Sequence, residues 1–258
     1  MLEIHTIQKG NVSSMRRFFI HPDTIINDEI QLSEQESHHI IKVLRLTVGT
    51  LLQLLDGKGN VHEAKIRTID KHVLLQIISS NHVKGDAVPV RVCQSILKGQ
   101  KMELLMQKCT ELGVSEFTPF YSERCQLKKT EISTISKKYT RWQRIIEEAC
   151  KQCNNPHMMQ LNPVLSFKEM LVEQNESVQK ILFWEEQEHK TSLHTCSLQT
   201  TEAGLQIVFG PEGGFPVQEI ETAQKQGVQI LSLGPRILKA ETANIAAVSI
   251  TQHLLGNM

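Results

Sequence analysis

The hydrophobic pattern changes period at Pro89, and that change constrains the fold more than any other feature of the chain. From about Arg17 to Ile78 short β-patterned runs dominate: RFFI, TLLQLLDGKGN, VHEAKIRTI and HVLLQII. Asp56-Gly57 and Gly59-Asn60 supply turn chemistry between two of them, which reads as a hairpin. One short helix is expected within SEQESHHIIKVLRL, so this part reads as a small β-barrel or sandwich. The polar stretch SSNHVKGDAVP (79–89) holds a glycine, ends at a proline and suits a linker. Beyond it, the apolar runs VRVCQSIL, FTPFYS, KILFWEE, GLQIVFG and VQILSLG alternate with helical patterns. Met102, Leu105, Met106, Cys109 and Leu112 fall three or four apart, on one helical face that stops at Gly113. Trp142, Ile145, Ile146, Ala149, Cys150 and Cys153 form another stripe, and ETANIAAVSITQHLL reads as a last helix. Strands alternating with helices predict an α/β domain around a mainly parallel sheet. A chain of 258 residues accommodates both parts.

In open α/β sheets ligands bind at the carboxyl ends of strands, where glycine lets backbone N–H groups come close. Two such ends stand out: IVFGPEGG (207–214) and ILSLGPR (230–236). Each is an apolar strand, a Gly-Pro turn and then a helix; ordinary strand-to-helix connections would look similar. Neither matches the dinucleotide fingerprint or the P-loop. Gly210, Pro211, Glu212, Gly213 and Gly214 crowd one acid among small residues, with the closest backbone approach and a positive φ expected at Gly213. Arg236 follows the Gly234-Pro235 turn, where a guanidinium could grip a phosphate or carboxylate. Glu241 and Thr242 open the last helix; Glu241 also suits the positive end of the helix dipole. Ala243, Ala246 and Ala247 permit close packing within the fold or across a subunit interface.

Lys+Arg and Asp+Glu both number 28, so a nucleic-acid partner would have to be met by local patches. His38, Lys42 and Arg45 fall at i, i+4 and i+7 of the expected helix, with Arg16 and Arg17 nearby, and could track phosphates. A solvated helix face would carry the same pattern. Lys128, Lys129, Lys137, Lys138, Arg141 and Arg144 make a second basic zone. Cys150 and Cys153 have CxxC spacing without a second pair for zinc, and both lie on an apolar stripe, so they read as core and no metal is expected. The start of the chain lacks a basic-plus-apolar signal segment, and no apolar run approaches the roughly 20 residues that span a bilayer, so a reducing cytoplasmic setting without membrane is expected.

GPEGGF followed by LGPRILKAETA strongly resembles the C-terminal signature of the ribosomal RNA small-subunit methyltransferase E family, SPOUT-class enzymes that methylate uracil N3 of one uridine in 16S rRNA. RRFFI (16–20), HHIIKVLRLTVG (38–49) and DGKG (56–59) are similar to its RNA-binding PUA-like barrel. ILKGQKMELLMQKCTELGV (96–114), SERC (122–125) and RWQRIIEEACKQC (141–153) are similar to its catalytic domain. The resemblance implies a PUA-like barrel over 16–83, a trefoil-knotted SPOUT methyltransferase domain over 84–258, and an extension over 1–15. It further implies S-adenosylmethionine as cofactor, the assembled small ribosomal subunit with its 16S rRNA as partner, and a homodimer. Cofactor binding would then fall to Phe209, Gly210, Pro211, Gly213 and Gly214 in the first loop. In and after the second it would fall to Leu231, Leu233, Gly234, Ile237, Leu238 and Thr242. RNA binding would involve Arg16, Arg17, His38, Lys42, Arg45 and Arg124.

Methyl transfer from a sulfonium is an in-line displacement, and the N3 proton must leave. Arg236 is the candidate for stabilising charge on the uracil oxygens or gripping the target phosphate. Glu212 and Glu241 are candidate orienters or bases. Alternatives are a SPOUT enzyme acting on tRNA or another rRNA position, and a non-catalytic RNA-binding assembly factor. Two departures from the family pattern stand out. Pro216 occupies the position where Ser or Thr is usual and is expected to begin a helix at its first turn. Asn154-Asn155 replaces Gly-Arg after EACKQC, which removes one basic contact.

Overall fold

Alternating burial along β4 and a polar clasp at its end explain the first part of the chain. The protein is described by a computed structural model covering residues 15–126, 132–172, 178–185, 193, 196–198 and 202–258; residues 1–14 of the N-terminal extension and Lys128 and Lys129 lie outside the described residues, as does the Lys137 side chain. The chain divides into two compact units, Met1–Lys84 and Gly85–Met258. The first holds β1 (Arg16–Phe19), β2 (Ile25–Ile26), β3 (Glu29–Gln31), α1 (Glu34–His38), β4 (Leu51–Leu55), β5 (Asn60–Ile69) and β6 (Val73–His82), with strand order β1-β4-β5-β6-β3-β2. β1 runs parallel to β4, a pairing between distant segments that local pattern could not supply, and the other pairs are antiparallel.

The β4–β5 turn is the one the sequence predicts. Asp56 accepts hydrogen bonds from the Lys58 and Asn60 amides at 2.7 and 3.0 Å and from the Asn60 side chain at 2.6 Å, between Gly57 and Gly59 at positive φ. Burial opposes its charge, yet those donors hold the carboxyl below its usual range. Leu52, Leu54, Ala64, Ile66, Val73 and Leu75 turn inward with Phe18 and Ile30 to form the core.

Two expectations change here. Residues 79–82 are not linker but the end of β6, paired as far as Asn60↔His82. The expected helix over 36–46 is α1 followed by a π-helical turn, His39–Leu44, ending at Arg45 in the left-handed region at φ 50°. Through this turn Ile40 is fully buried, and Ile41 and Leu44 pack on the same core.

The second unit contains β7 (Val90–Ser95), α2 (Lys101–Glu111), β8 (Glu116–Tyr121), α3 (Ile132–Cys153), β9 (Gln160–Leu161), β10 (Leu165–Ser166), α4 (Phe167–Val172), β11 (Gln179–Phe183), β12 (Leu205–Phe209), α5 (Val217–Lys225), β13 (Gln229–Leu231) and α6 (Ala240–Leu254). Its strands pair in parallel in the order β10-β8-β7-β12-β11-β13, with β9 beside β8. Burial on both faces explains why β12 is apolar at every position but Gln206. One face packs Cys93, Leu182, Val208 and Ile230 against α4 and α5. On the other, α6 packs against α2 and β12. Cys150 and Cys153 form no disulfide; Cys150 is buried, and burial pushes its pKa up to about 12, as fits core packing. Asn154 takes φ 60°, so the position where the family pattern has glycine needs a left-handed residue, and asparagine tolerates that.

Candidate functional site

Sheet order brings three strand ends together: β12, β11 and β13 are successive neighbours, with Phe209, Phe183 and Leu231 in register at their carboxyl ends. Chain topology thus gathers the loop after β12 (210–216), the short segment after β11 and the loop after β13 (232–239).

The first loop is held from many sides. Wholly buried Gln94 donates to the Gly210 carbonyl at 3.0 Å and to Ser95 O at 2.9 Å, and accepts from Asn244 Nδ2 of α6 at 3.0 Å. Asn244 in turn accepts from the Cys109 thiol of α2 at 3.3 Å. A side chain on Gly210 would lie 3.0 Å from the Phe215 ring, which stacks on Phe120 and leans on Phe167. Gly214, at φ 68°, donates to Pro211 O and closes the turn. The expectation for Gly213 is corrected: its φ is not positive, it is exposed, and its neighbour is the Arg124 stem, so the backbone constraint sits on Gly214.

Arg124 lies on the same loop, donating to Gly213 O at 3.2 Å. Its own segment is fixed by Glu219 of α5, which accepts from Ser122 Oγ at 2.6 Å and from the Glu123 amide at 3.0 Å. Pro216 is the residue before α5 rather than its first turn, correcting the expectation. Proline has no N–H for a capping box, so Glu219 at the third helical position is free to reach the 122–123 turn. Burial of Glu219 is the largest influence and raises its pKa despite those donors.

At the base of the loop three distant residues converge. Lys101 Nζ is 3.3 Å from Glu212 Oε1 and 3.6 Å from Glu241 Oε2, and Glu212 Oε1 also accepts from the Lys98 amide at 3.0 Å. Desolvation works against both Lys101 and Glu212. Even so, the two carboxylates raise the ammonium above its usual range, and Lys98 N–H with Lys101 holds Glu212 below its own. Glu212 Oε2 and Glu241 Oε2 are buried and lack hydrogen-bond partners among the described residues.

The second loop is barely tied. Ser232 Oγ bonds Gly234 N and O at 3.2 Å, and Gly234 takes φ 109°. Pro235 and Arg236 are exposed and Ile237 is 82% exposed. Between the loops lie two cavities of about 230 and 80 Å³ that share Phe183, Glu185, Ile237, Leu238 and Ala243 on their walls. Phe209, Gly210, Pro211, Glu212 and Gly214 line the larger; Leu233, Gly234 and Arg236 line the smaller. Of the other residues expected here, Leu231 is buried, Thr242 is exposed, and neither they nor Gly213 line either of these two cavities. Glu241 takes part through Lys101.

In the first unit Arg16, His38, Lys42 and Arg45 are exposed, and Arg17 bonds Gln53 at 3.0 Å. The π-turn and the left-handed Arg45 break the helical spacing on which their common stripe rested. Lys101, Gln94, Glu185, Glu219 and Asn244 were missed as site residues. Lys101 stands inside a family-like motif, but nothing local links it to acids more than a hundred residues away. Among the described residues no group of His, Cys, Asp or Glu gathers as for a metal, and no helix is long and apolar enough to cross a membrane.

Comparison with known proteins fits this geometry. The RNA methyltransferase domain family matches residues 84–252, and the RNA methyltransferase PUA domain family matches 32–78. Ribosomal RNA small subunit methyltransferase E of Bacillus subtilis is 30% identical, covering 93% of this chain and 96% of its own. A crystal structure of ribosomal RNA small subunit methyltransferase E from Neisseria gonorrhoeae, bound to S-adenosyl methionine, gives a TM-score of 0.83 at 28% identity over 93% of this chain and 98% of that one. A methyltransferase from Legionella pneumophila, also with bound S-adenosyl methionine, gives 0.83 at 31% identity with the same coverages. With a SPOUT-class α/β unit that follows a PUA-like unit in sequence, the chain belongs to the ribosomal RNA small subunit methyltransferase E family.

Proposed function

We propose that this chain binds S-adenosylmethionine between its two glycine loops and methylates uracil N3 of one uridine in 16S rRNA, on the assembled small ribosomal subunit. One observation carries the reading: the loops after β12 and β13, the strands that flank β11, line adjoining cavities, and Arg236, without a partner among the described residues, stands at the wall of one. The residues present fit the cofactor. Gly210 and Gly214 keep the main chain bare at the larger cavity, the stacked Phe183 and Phe209 rings (centroids 5.5 Å apart) give an apolar wall, and Glu212 offers a buried, unused acceptor.

When bound, S-adenosylmethionine supplies an activated methyl group on a sulfonium. The chain's contribution is positioning and electrostatics. Glu212, held anionic by Lys101 and the Lys98 amide, is a weak base at neutral pH and serves to fix the first loop. Glu241 shares Lys101 and fixes the start of α6 to that loop. Arg236 has no ion pair or hydrogen bond among the described residues, so its donors are free for negative charge on the uracil oxygens or for the target phosphate. Arg16, Arg17, His38, Lys42, Arg45 and Arg124 contact RNA in this reading. Assembly as a homodimer is supported by Ile250 and Leu254 on α6, 45% and 50% exposed and four residues apart on one face. Sedimentation should then give about twice 29.3 kDa. A ribosomal substrate places the protein in the cytoplasm.

The test is nucleoside mass spectrometry of 16S rRNA from a strain lacking the gene, with and without its restoration. Loss and recovery of one 3-methyluridine supports the reading. An unchanged 3-methyluridine content rejects it.

A further inference from the structure

Glu185, the second residue beyond β11, is not used by the chemistry above. Its carboxylate occupies the space that a side chain at Gly214 would need, so it lies directly over the turn of the first loop. It lines both cavities, as few other residues do, and therefore stands where the two spaces between the loops meet. The β11–β12 and β11–β13 registers fix this position, because Phe183 pairs with both Phe209 and Leu231.

Its charge is what sets it apart. Glu212, on the same wall, has Lys101 and a backbone amide against it. Among the described residues Glu185 has neither an ion pair nor a hydrogen bond, and Lys239 on the same wall makes no ion pair with it. An acid without a partner beside a ligand cavity is suited to a cation brought by the ligand.

We propose that Glu185 is a cofactor-binding residue whose carboxylate receives a cationic group of S-adenosylmethionine. This rests on the cofactor reading above and deepens it. The cofactor carries two candidate cations, its α-ammonium and its sulfonium. S-adenosylhomocysteine keeps the first and lacks the second.

Titration calorimetry of wild type and Glu185→Gln with both compounds tests the proposal. Glutamine keeps the shape and removes the charge, and an unchanged melting temperature verifies the fold. A charge-assisted bond predicts a loss of about tenfold or more in S-adenosylmethionine affinity, with Glu185→Lys losing more. If S-adenosylhomocysteine binds Glu185→Gln as well as it binds wild type, the partner is the sulfonium. An equal loss for both compounds identifies the ammonium. Wild-type affinity for both compounds in a folded Glu185→Gln would overturn the role of Glu185 and leave the cofactor reading standing. Failure of wild type to bind either compound would overturn both.

Discussion

The two glycine loops, at the ends of the strands that flank β11, are built by opposite means. The loop after β12 is clamped by Gln94, Lys98, Lys101 and Arg124 and by the packed Phe215 ring. The loop after β13 is tied by Ser232 and leaves Pro235, Arg236 and Ile237 in solvent. The difference teaches how one site can be both preformed and adaptable. A clamped backbone keeps its ordering cost out of the binding step, whereas exposed side chains remain available to an incoming RNA. Damage to the first loop should therefore appear in folding and cofactor affinity, and damage to the second in turnover.

Gly214→Val should have the largest effect. Its φ of 68° excludes a branched residue at a cost of about 1–3 kcal/mol, and Glu185 must also move aside. Calorimetry should find no cofactor binding, whereas Gly213→Ala should stay within about twofold of wild type because its φ is ordinary. Equal damage from the two would break the account of this loop.

Gln94→Leu comes next. It strands the Gly210 carbonyl and the Asn244 amide in the interior, and each lost buried partner costs about 1–3 kcal/mol. Chemical denaturation should show that loss together with weakened cofactor binding. Ser232→Ala, the matching deletion in the second loop, should cost about 1 kcal/mol or less.

The charged base of the first loop should show in pH dependence. Glu212 is lowered from 4.5, so its contribution is present above that pH and lost as pH falls through the folded value. Lys101 is raised from 10.5, so its contribution is present below that pH and lost as pH rises through the folded value. Together they give a plateau from about pH 4.5 to 10.5. Lys101→Met should lower that plateau and move the acid loss of stability to higher pH. Melting curves that superimpose on wild type at all pH values would remove the ion pair from the account. Glu219 has the opposite sign: its raised pKa means that folding takes up a proton, which favours the fold as pH falls toward that value. Glu219→Gln should flatten that segment of the curve and change stability little at pH 7.

Much of this was legible in the sequence, for identifiable reasons. Apolar runs and glycine loops are local, so LQIVF, GPEGG and LGPR could be read as strands and strand ends without any tertiary knowledge. The β4–β5 hairpin was legible because Asp56 and its two glycines act within five residues. What stayed hidden depends on distant segments meeting. Lys101 reaches Glu212 and Glu241 only after the sheet is ordered, and Glu219 turns to Ser122 because a proline removes its nearer partner. The π-turn at 39–44 was hidden because Ile40, Ile41 and Leu44 fit an ordinary 3.6-residue period equally well.

Arg236→Ala should do least to the fold, changing stability by no more than about 0.5 kcal/mol, because the residue is exposed and free of partners among the described residues. It is also the sharpest probe of chemistry. Purified wild type and Arg236→Ala should be given small ribosomal subunits from a strain lacking the gene and isotopically labelled S-adenosylmethionine, with methylated nucleosides read by mass spectrometry. The account predicts label in 3-methyluridine with wild type. With Arg236→Ala it predicts less than about a tenth of that rate at unchanged cofactor affinity. Label at any other atom, or none from a cofactor-loaded wild type, would contradict it.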